Sequence, residues 1–356
     1  MPAMTPLDIA RLRLANQQIS SHRSTTPQEV VATMGAMQAQ DYRSVLWAVG
    51  LRLPNAGEAE IEQAVAGATI VRTWAMRGTM HLVAAADVRW MLELLGRRAL
   101  ARSAHRRRQL EIDDRTIARS RDLLGEALSG GRLLARDEAL KVLERAGIKT
   151  TGQRGVHILQ YLAVDGLLCQ APPRGRQPTF ALLDEWTPRA ETKSREAGLA
   201  ELTRRYFCSH GPATLQDLMW WSGLTAADAK LGLELAKTWL ARAEIDGTVY
   251  WMPPTQPSPQ VAPALILLPA YDEYVLGYAD RKIALDGVAS QRIVPGGNGV
   301  FHPTIVRDGR VVGRWRLGNK TRASSTIDLF TPLDDASMDA LAAALHDYDR
   351  FVRGTR

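Results

Sequence analysis

Residues 151–183 read TGQRGVHILQYLAVDGLLCQAPPRGRQPTFALL, and the fold turns on this stretch. Thr151-Gly152-Gln153-Arg154 opens a helix whose apolar run reaches Leu162, and Asp165-Gly166 turns the chain into Leu167, Leu168 and Cys169. A basic loop follows over residues 172–178 (Pro-Pro-Arg-Gly-Arg-Gln-Pro), and residues 179–183 return as a second strand. Upstream, residues 133–146 have helical spacing and stop at Gly147. Helix, turn, helix and two strands joined by a basic loop is the order of a winged helix, whose second helix commonly enters a DNA major groove.

The pattern recurs on both sides. Before it, helices are predicted over residues 7–19, after the Thr25-Thr26-Pro27 start signal, and up to Val65. Ile70, Val71, Thr73 and Trp74 then lead through Arg77-Gly78-Thr79 to Met80, Leu82 and Val83 as a hairpin. After it, helices over 196–209, 213–221 and 225–241, broken at Ser222-Gly223, precede strands 243–245 and 249–251 joined by Asp246-Gly247. The alternative to an internal triplication is a generic helical protein with incidental hairpins. Pro253, Pro254, Pro257 and Pro259 form a stiff linker. Beyond it, residues 264–268, 274–277, 300–306, 311–316 and 326–330 are strand-like, and 336–352 form a helix whose Met338, Leu341, Leu345 and Tyr348 pack on that sheet. The expected class is α+β: winged-helix units at 1–95, 96–190 and 191–256, then an antiparallel β domain with a terminal helix at 257–356.

Composition narrows the function. The 356 residues are 46% hydrophobic and 23% charged, as in globular proteins. No apolar run is long enough to span a bilayer, and residues 1–15 lack a signal-peptide core, so a cytoplasmic protein is expected. Cys169 and Cys208 are too few for a disulfide framework or a thiolate metal cluster. Lys and Arg exceed Asp and Glu by 45 to 38, a net +7, and Arg97, Arg98, Arg102, Arg106, Arg107 and Arg108 crowd one segment. Such a face attracts polyanions; the alternative is a solvated helix face with its own ion pairs.

Several chemistries are excluded by missing residues. The seven histidines form no His-Glu-x-x-His pair, there is no Cys-x-x-Cys, and Gly296-Gly297-Asn298-Gly299 lacks the Lys-Ser/Thr of a phosphate loop. That glycine run reads instead as a hairpin tip. Cys208-Ser209-His210 reads as structural, and Asp272-Glu273, on successive strand positions, point to opposite faces. No metal site is expected. The segment that stands out is Met34-Gly35-Ala36-Met37-Gln38-Ala39-Gln40-Asp41-Tyr42. On a helix continuing from Pro27, Gln38 follows Val30, Val31 and Met34 onto the buried face. Gln40 then lies about 160° away, so both amides reach one pocket only if the helix ends or unwinds near Ala39.

These residues carry a resemblance. With Met37-Gln38-Ala39-Gln40-Asp41, residues 73–82 (TWAMRGTMHL), residues 268–274 (LPAYDEY) and residues 296–303, the chain resembles the AlkZ-like (AlkZ/YcaQ-type) bacterial DNA glycosylases over nearly its whole length. Gln38-Ala39-Gln40 matches the Gln-apolar-Gln pattern of the AlkZ branch rather than the Gln-apolar-Asp of the YcaQ branch. The resemblance implies three tandem winged helices forming a concave surface for double-stranded DNA. It also implies excision of alkylated bases, including N7-alkylguanine and crosslinks, without a metal or organic cofactor, and Gln38 and Gln40 as catalytic. A monomer is expected. For DNA contact the candidates are Arg77, His81, Arg154, Arg174 and Arg176, with Gly297, Asn298, Gly299 and His302 as a wedge. Hairpin packing, a solvated wing or an ordinary surface turn are the alternatives for these positions. The rival function is a non-enzymatic winged-helix regulator that recognises an operator.

Overall fold

The structure, a computed structural model, describes residues 4–188, 192–255, 265–297, 299–316 and 326–354. After α1 (Pro6–Asn16), three runs of elements share the order helix, short strand, helix, helix, strand, strand. The first is α2 (Pro27–Met34), β1 (Met37–Gln38), α3 (Tyr42–Gly50), α4 (Glu58–Ala66), β2 (Ile70–Met76) and β3 (Thr79–Ala84). The long helix α5 (Val88–Gln109) follows. The second run is α6 (Asp114–Leu128), β4 (Leu134–Ala135), α7 (Arg136–Arg145), α8 (Arg154–Val164), β5 (Leu168–Arg174) and β6 (Gln177–Leu182), closed by α9 (Leu183–Trp186). The third is α10 (Arg195–His210), α11 (Leu215–Ser222), α12 (Ala226–Ala236), β7 (Ala241–Ile245) and β8 (Thr248–Met252), its short strand reduced to a bridge between Ala213 and Trp251. The chain ends with β9 (Ile266–Leu268), α13 (Glu273–Leu276), α14 (Gly287–Ile293), β10 (Thr304–Arg307), β11 (Arg310–Arg316), β12 (Thr326–Leu329) and α15 (Asp335–Arg353).

Local chemistry sets the boundaries. Thr26 caps α2 in a capping box with Glu29, with Pro27 in the first turn, and Thr214 and Asp217 repeat the device on α11. Arg77-Gly78, Asp246-Gly247 and Asp308-Gly309 all have positive φ at both positions, the geometry that matches the twist of a two-residue hairpin.

The chain divides into two compact units, Glu62–Gly198 and Met1–Ile61 with Leu199–Arg356. In the first, antiparallel neighbours run β3-β2-β5-β6-β4, the two hairpins meeting where Arg72 pairs with Gln170. Leu124 and Leu128 of α6, Leu143 of α7, and Ile158, Leu159 and Leu162 of α8 bury against Leu168 and Phe180 of the sheet. The helix expected from residue 133 begins at Arg136, because Leu134 and Ala135 first pair with Phe180 and Thr179. The expected basic loop at 172–178 is shorter too. Strand pairing continues to Arg174 opposite Gln177, leaving a turn of Gly175 and Arg176.

In the other unit the sheet order is β12-β11-β10-β9. Edge-strand carbonyls of β9 are taken by indoles, Trp47 Nε1 donating to Leu267 O and Trp315 Nε1 to Leu268 O, both at 2.8 Å. Tyr348 of α15 meets both indole rings edge-on, at 5.3 and 4.9 Å, so the terminal helix packs back on this sheet. A Cβ on Gly50 would lie 2.3 Å from the Phe351 ring, which is why α3 carries glycine there. Three expectations are corrected in this unit. Residues 274–277 are not a strand: Asp272 caps Tyr274 N–H at 2.9 Å and starts α13. The strand expected from residue 300 starts at Thr304, and α12 stops at Ala236, with Ala241 already in β7. Among the described residues no helix is long and apolar enough to cross a membrane.

Candidate active site

The glutamine segment owes its shape to one glycine. Helix α2 ends at Met34 because Gly35 takes φ +80°, where a side chain is strained. The chain then extends through Met37 and Gln38 before Asp41 caps α3, its Oδ1 accepting from Ser44 N–H at 2.7 Å. The helix expected to carry Gln38 thus stops four residues earlier, and the 160° separation of the two amides no longer applies. Ala36, Met37 and Ala39 are buried, Gln38 is 7% exposed, and Gln40 is exposed. Replacing Gly35 by alanine is expected to cost about 1–3 kcal/mol for the forbidden backbone angle. Its Cβ would also press to 3.3 Å from Trp221. A urea midpoint within error of the parent's would refute this account of the bend.

A buried carboxylate holds the segment. Glu273, 1% exposed, accepts the Gln38 backbone N–H on Oε1 at 2.8 Å and the Trp221 indole N–H on Oε2 at 3.0 Å. His210 Nε2 lies 3.5 Å from the same Oε2. Burial holds the His210 pKa below the ordinary histidine range, opposed by Glu273, so the ring is neutral at neutral pH. The Tyr206 ring stacks on it at 4.7 Å. Next to Glu273, Asp272 forms a two-point ion pair with Arg52 at 2.9 and 3.0 Å, both residues buried. Asp272 and Glu273 therefore serve different partners from the start of a helix, not from opposite faces of a strand. Burial raises the Cys208 thiol pKa, which disfavours the thiolate a nucleophile would need.

Gln40 lines a cleft of about 400 Å³ with Asp41, Ser44, Tyr271, Phe301, His302 and Arg316. Among the described lining residues Gln38 does not appear. The cleft gathers an amide, a carboxylate, two aromatic rings and a guanidinium, which can position water, bear positive charge and meet phosphate. His302 is part-buried, and desolvation, then Arg314 and Arg316, lower its pKa, so it enters the cleft as a neutral ring near neutral pH.

Of the wedge candidates, His302 thus joins Gln40. Gly297 ends a turn at Pro295–Gly297, Gly299 has φ +79°, and Asn298 lies outside the described residues. These glycines connect α14 to β10 and are not the tip of a hairpin; the intervening helix α14 was not foreseen. The remaining candidates lie in the Glu62–Gly198 unit. Arg77 occupies the β2–β3 turn itself, half-buried. His81 is fully buried, with Nδ1 2.9 Å from Thr79 O, which corrects the expectation of a surface phosphate contact. Arg154 donates to the Leu110 and Lys149 carbonyls and Arg174 pairs with Glu138. Arg176 is exposed in the β5–β6 turn. That unit also has a larger cleft, about 840 Å³, lined by Arg97, Lys193 and Arg195, where Asp184 pairs with Arg89 and Asp165 with Arg121. Along α5, Arg97, Arg98, Arg102, Arg106 and Arg108 are exposed.

Sequence reasoning gave no role to Arg52, Tyr271 or Glu273. A signal existed in two adjacent acids inside the apolar run from Leu265 to Tyr278, since buried charges require partners. Nothing in the sequence indicated which partners.

A family model described as DNA glycosylase AlkZ-like matches residues 31–351. The interstrand DNA cross-link repair glycosylase of Streptomyces sahachiroi is 25% identical over 327 residues, covering 86% of this chain and 86% of the relative. The solved structure of the Streptomyces sahachiroi DNA glycosylase AlkZ is similar with a TM-score of 0.79 at 21% identity, over 99% of this chain and 97% of that one, a likeness of fold.

Proposed function

The chain belongs to the AlkZ-like DNA glycosylase family, and from that premise we propose that it is a monofunctional glycosylase for cationic alkylated purines of the N7-alkylguanine class. Interstrand crosslinks built on such bases fall within the same chemistry, and the relative named for cross-link repair supports including them. The observation that carries the reading is the cleft in which Gln40, the residue after the bend held by Glu273, opens beside Asp41, Tyr271, His302 and Arg316.

Hydrolysis of an N-glycosidic bond passes through an oxocarbenium-like sugar, and neutral leaving groups need an acid to protonate them. An N7-alkylated guanine already carries positive charge. When the C1′–N9 bond breaks, its electron pair neutralises the purine, which leaves without a proton donor. In this scheme Gln40, which lines the cleft, and Gln38, buried two residues before it, jointly hold the attacking water against C1′ and turn their carbonyl dipoles to the developing cation, and the surplus proton of the water passes to solvent. Histidine, metal and organic cofactor have no part in this scheme. The three runs of elements are read as winged-helix units, the second with exposed Arg176 at its wing. The partner is double-stranded DNA bound by a monomer with the usual salt dependence.

Duplex containing 7-methylguanine, incubated with the protein and then cleaved at abasic sites, should lose that base. Gln40→Ala should slow release by about 10²-fold, the scale of losing one preorganised dipole, and Gln38→Ala by a similar factor. Uracil in the same context should stay in place. Rapid release of uracil would refute the amide mechanism, and a protein that shields one sequence while releasing no base would be a regulator instead.

A further inference from the structure

We infer that Tyr271 and Asp41 form the subsite that receives the departing nucleobase, the face of the tyrosine ring and the Asp41 carboxylate together selecting a positively charged purine over a neutral one of the same shape. The inference rests on the proposed reading of the cleft and names how the substrate is recognised there.

The first observation is backbone strain. Tyr271 has φ +61°, a region that bulky residues rarely enter and that costs on the order of 1–3 kcal/mol. It is held there by the two residues that follow, Asp272 clamped by Arg52 and Glu273 fixed to Gln38 and Trp221. The contacts that set the glutamine bend therefore also place the aromatic ring. Glycine or asparagine would take this angle more readily, so its occupation by tyrosine points to a use for the side chain.

The second is the company the ring keeps. Tyr271 is half-buried in the wall of the cleft, with Phe301 at 6.2 Å between centroids. Arg281 already stands over the Phe301 ring at 5.1 Å, whereas among the described residues no cation stands over Tyr271. Burial raises the Tyr271 pKa, and the charge of Asp41, which lines the same cleft, adds to it.

The third is an electrostatic mismatch. A cleft that admits nucleic acid is expected to be basic, and Arg316 meets that need. An exposed carboxylate beside Gln40 repels phosphate unless the substrate brings a cation to it. An N7-alkylated purine brings a flat cation, the shape a tyrosine face binds with a preference of roughly 0.5–2 kcal/mol.

The test separates charge from shape. In the Gln40→Ala background, affinities are measured for two duplexes, one with 7-methylguanine and one with its neutral isostere 7-methyl-7-deazaguanine. The cationic lesion should bind about 5-fold or more tightly. Tyr271→Leu and Asp41→Asn should each bring that ratio toward one, while Tyr271→Phe keeps it; asparagine retains the cap of α3, so the Asp41 arm stands even where the leucine variant fails to fold. A ratio near one at the outset, or one unchanged by Asp41→Asn and by any folded Tyr271→Leu protein, overturns the subsite. Release of 7-methylguanine by the parent is scored separately. Release with an unchanged ratio removes the subsite alone, whereas no release removes the proposed activity.

Discussion

Replacing Arg52 by leucine is expected to lower stability by about 3–5 kcal/mol, because it strands the Asp272 carboxylate among apolar side chains. The guanidinium is entirely enclosed, and besides Asp272 it donates to Ala48 O at 2.7 Å and Gln17 Oε1 at 3.0 Å. Gln17 in turn donates to the Tyr278 hydroxyl, which donates to His210 O, so one cation ties α1, α3 and α13 together. Forming such a pair gains little over an apolar core, since both ions lose their water; breaking one side is what costs, as the remaining charge has no solvent to return to. The Arg52→Leu, Asp272→Asn double variant should therefore recover a substantial part of the loss, asparagine keeping the cap on Tyr274 N–H. The midpoint of urea unfolding at constant slope measures both. A single variant within about 1 kcal/mol of the parent, or a double variant no better than the single, would contradict a stranded charge.

How far the sequence revealed this arrangement depended on the range of the interactions involved. Hairpins were legible because Asp246-Gly247 and Asp308-Gly309 need only their own positive φ angles to turn the chain. The start of α2 was legible for the same reason, Thr26, Pro27 and Glu29 being neighbours. Its end was misjudged: the stripe of Val30, Val31 and Met34 invited continuation to Gln38, while Gly35 had the stronger local claim through a bond from its N–H to Ala32 O. Helix α13 reads as a strand in the sequence because Tyr274 and Val275 favour strands, and the Asp272 cap overrides that propensity. Gln40 could be singled out from its motif. The carboxylate that fixes its neighbour lies 235 residues away in sequence, and no periodicity reaches that far.

That distant carboxylate gives the second large effect. Glu273→Leu should cost about 3–5 kcal/mol, since it takes the acceptor from two buried donors, the Gln38 N–H and the Trp221 indole, at about 1–3 kcal/mol each, and opens space beside His210. Glu273→Gln is the sharper probe. Its carbonyl can accept from Gln38 or from Trp221 but not both, because the amide nitrogen would face the other donor, so it should cost about half as much and remain folded for assay. Glu273 is a positioning residue: it touches the glutamine backbone and does not line the cleft, so its loss should act on turnover rather than on DNA binding. A displacement of the water-holding amides by about 1 Å is enough to slow reaction by about 10²-fold. Single-turnover release of 7-methylguanine by Glu273→Gln should therefore fall by up to that factor while affinity for the same duplex changes less than about 3-fold. Trp221→Phe provides the contrast. It removes the donor to Oε2 and leaves the Gln38 bond in place, so it should lose stability on the scale of one buried hydrogen bond, about 1–2 kcal/mol, with release nearly intact. Were the two variants to slow release equally at matched stability, Glu273 would be a core residue and nothing more; release falling only in Glu273→Gln would tie catalysis to the 2.8 Å bond that sets the bend.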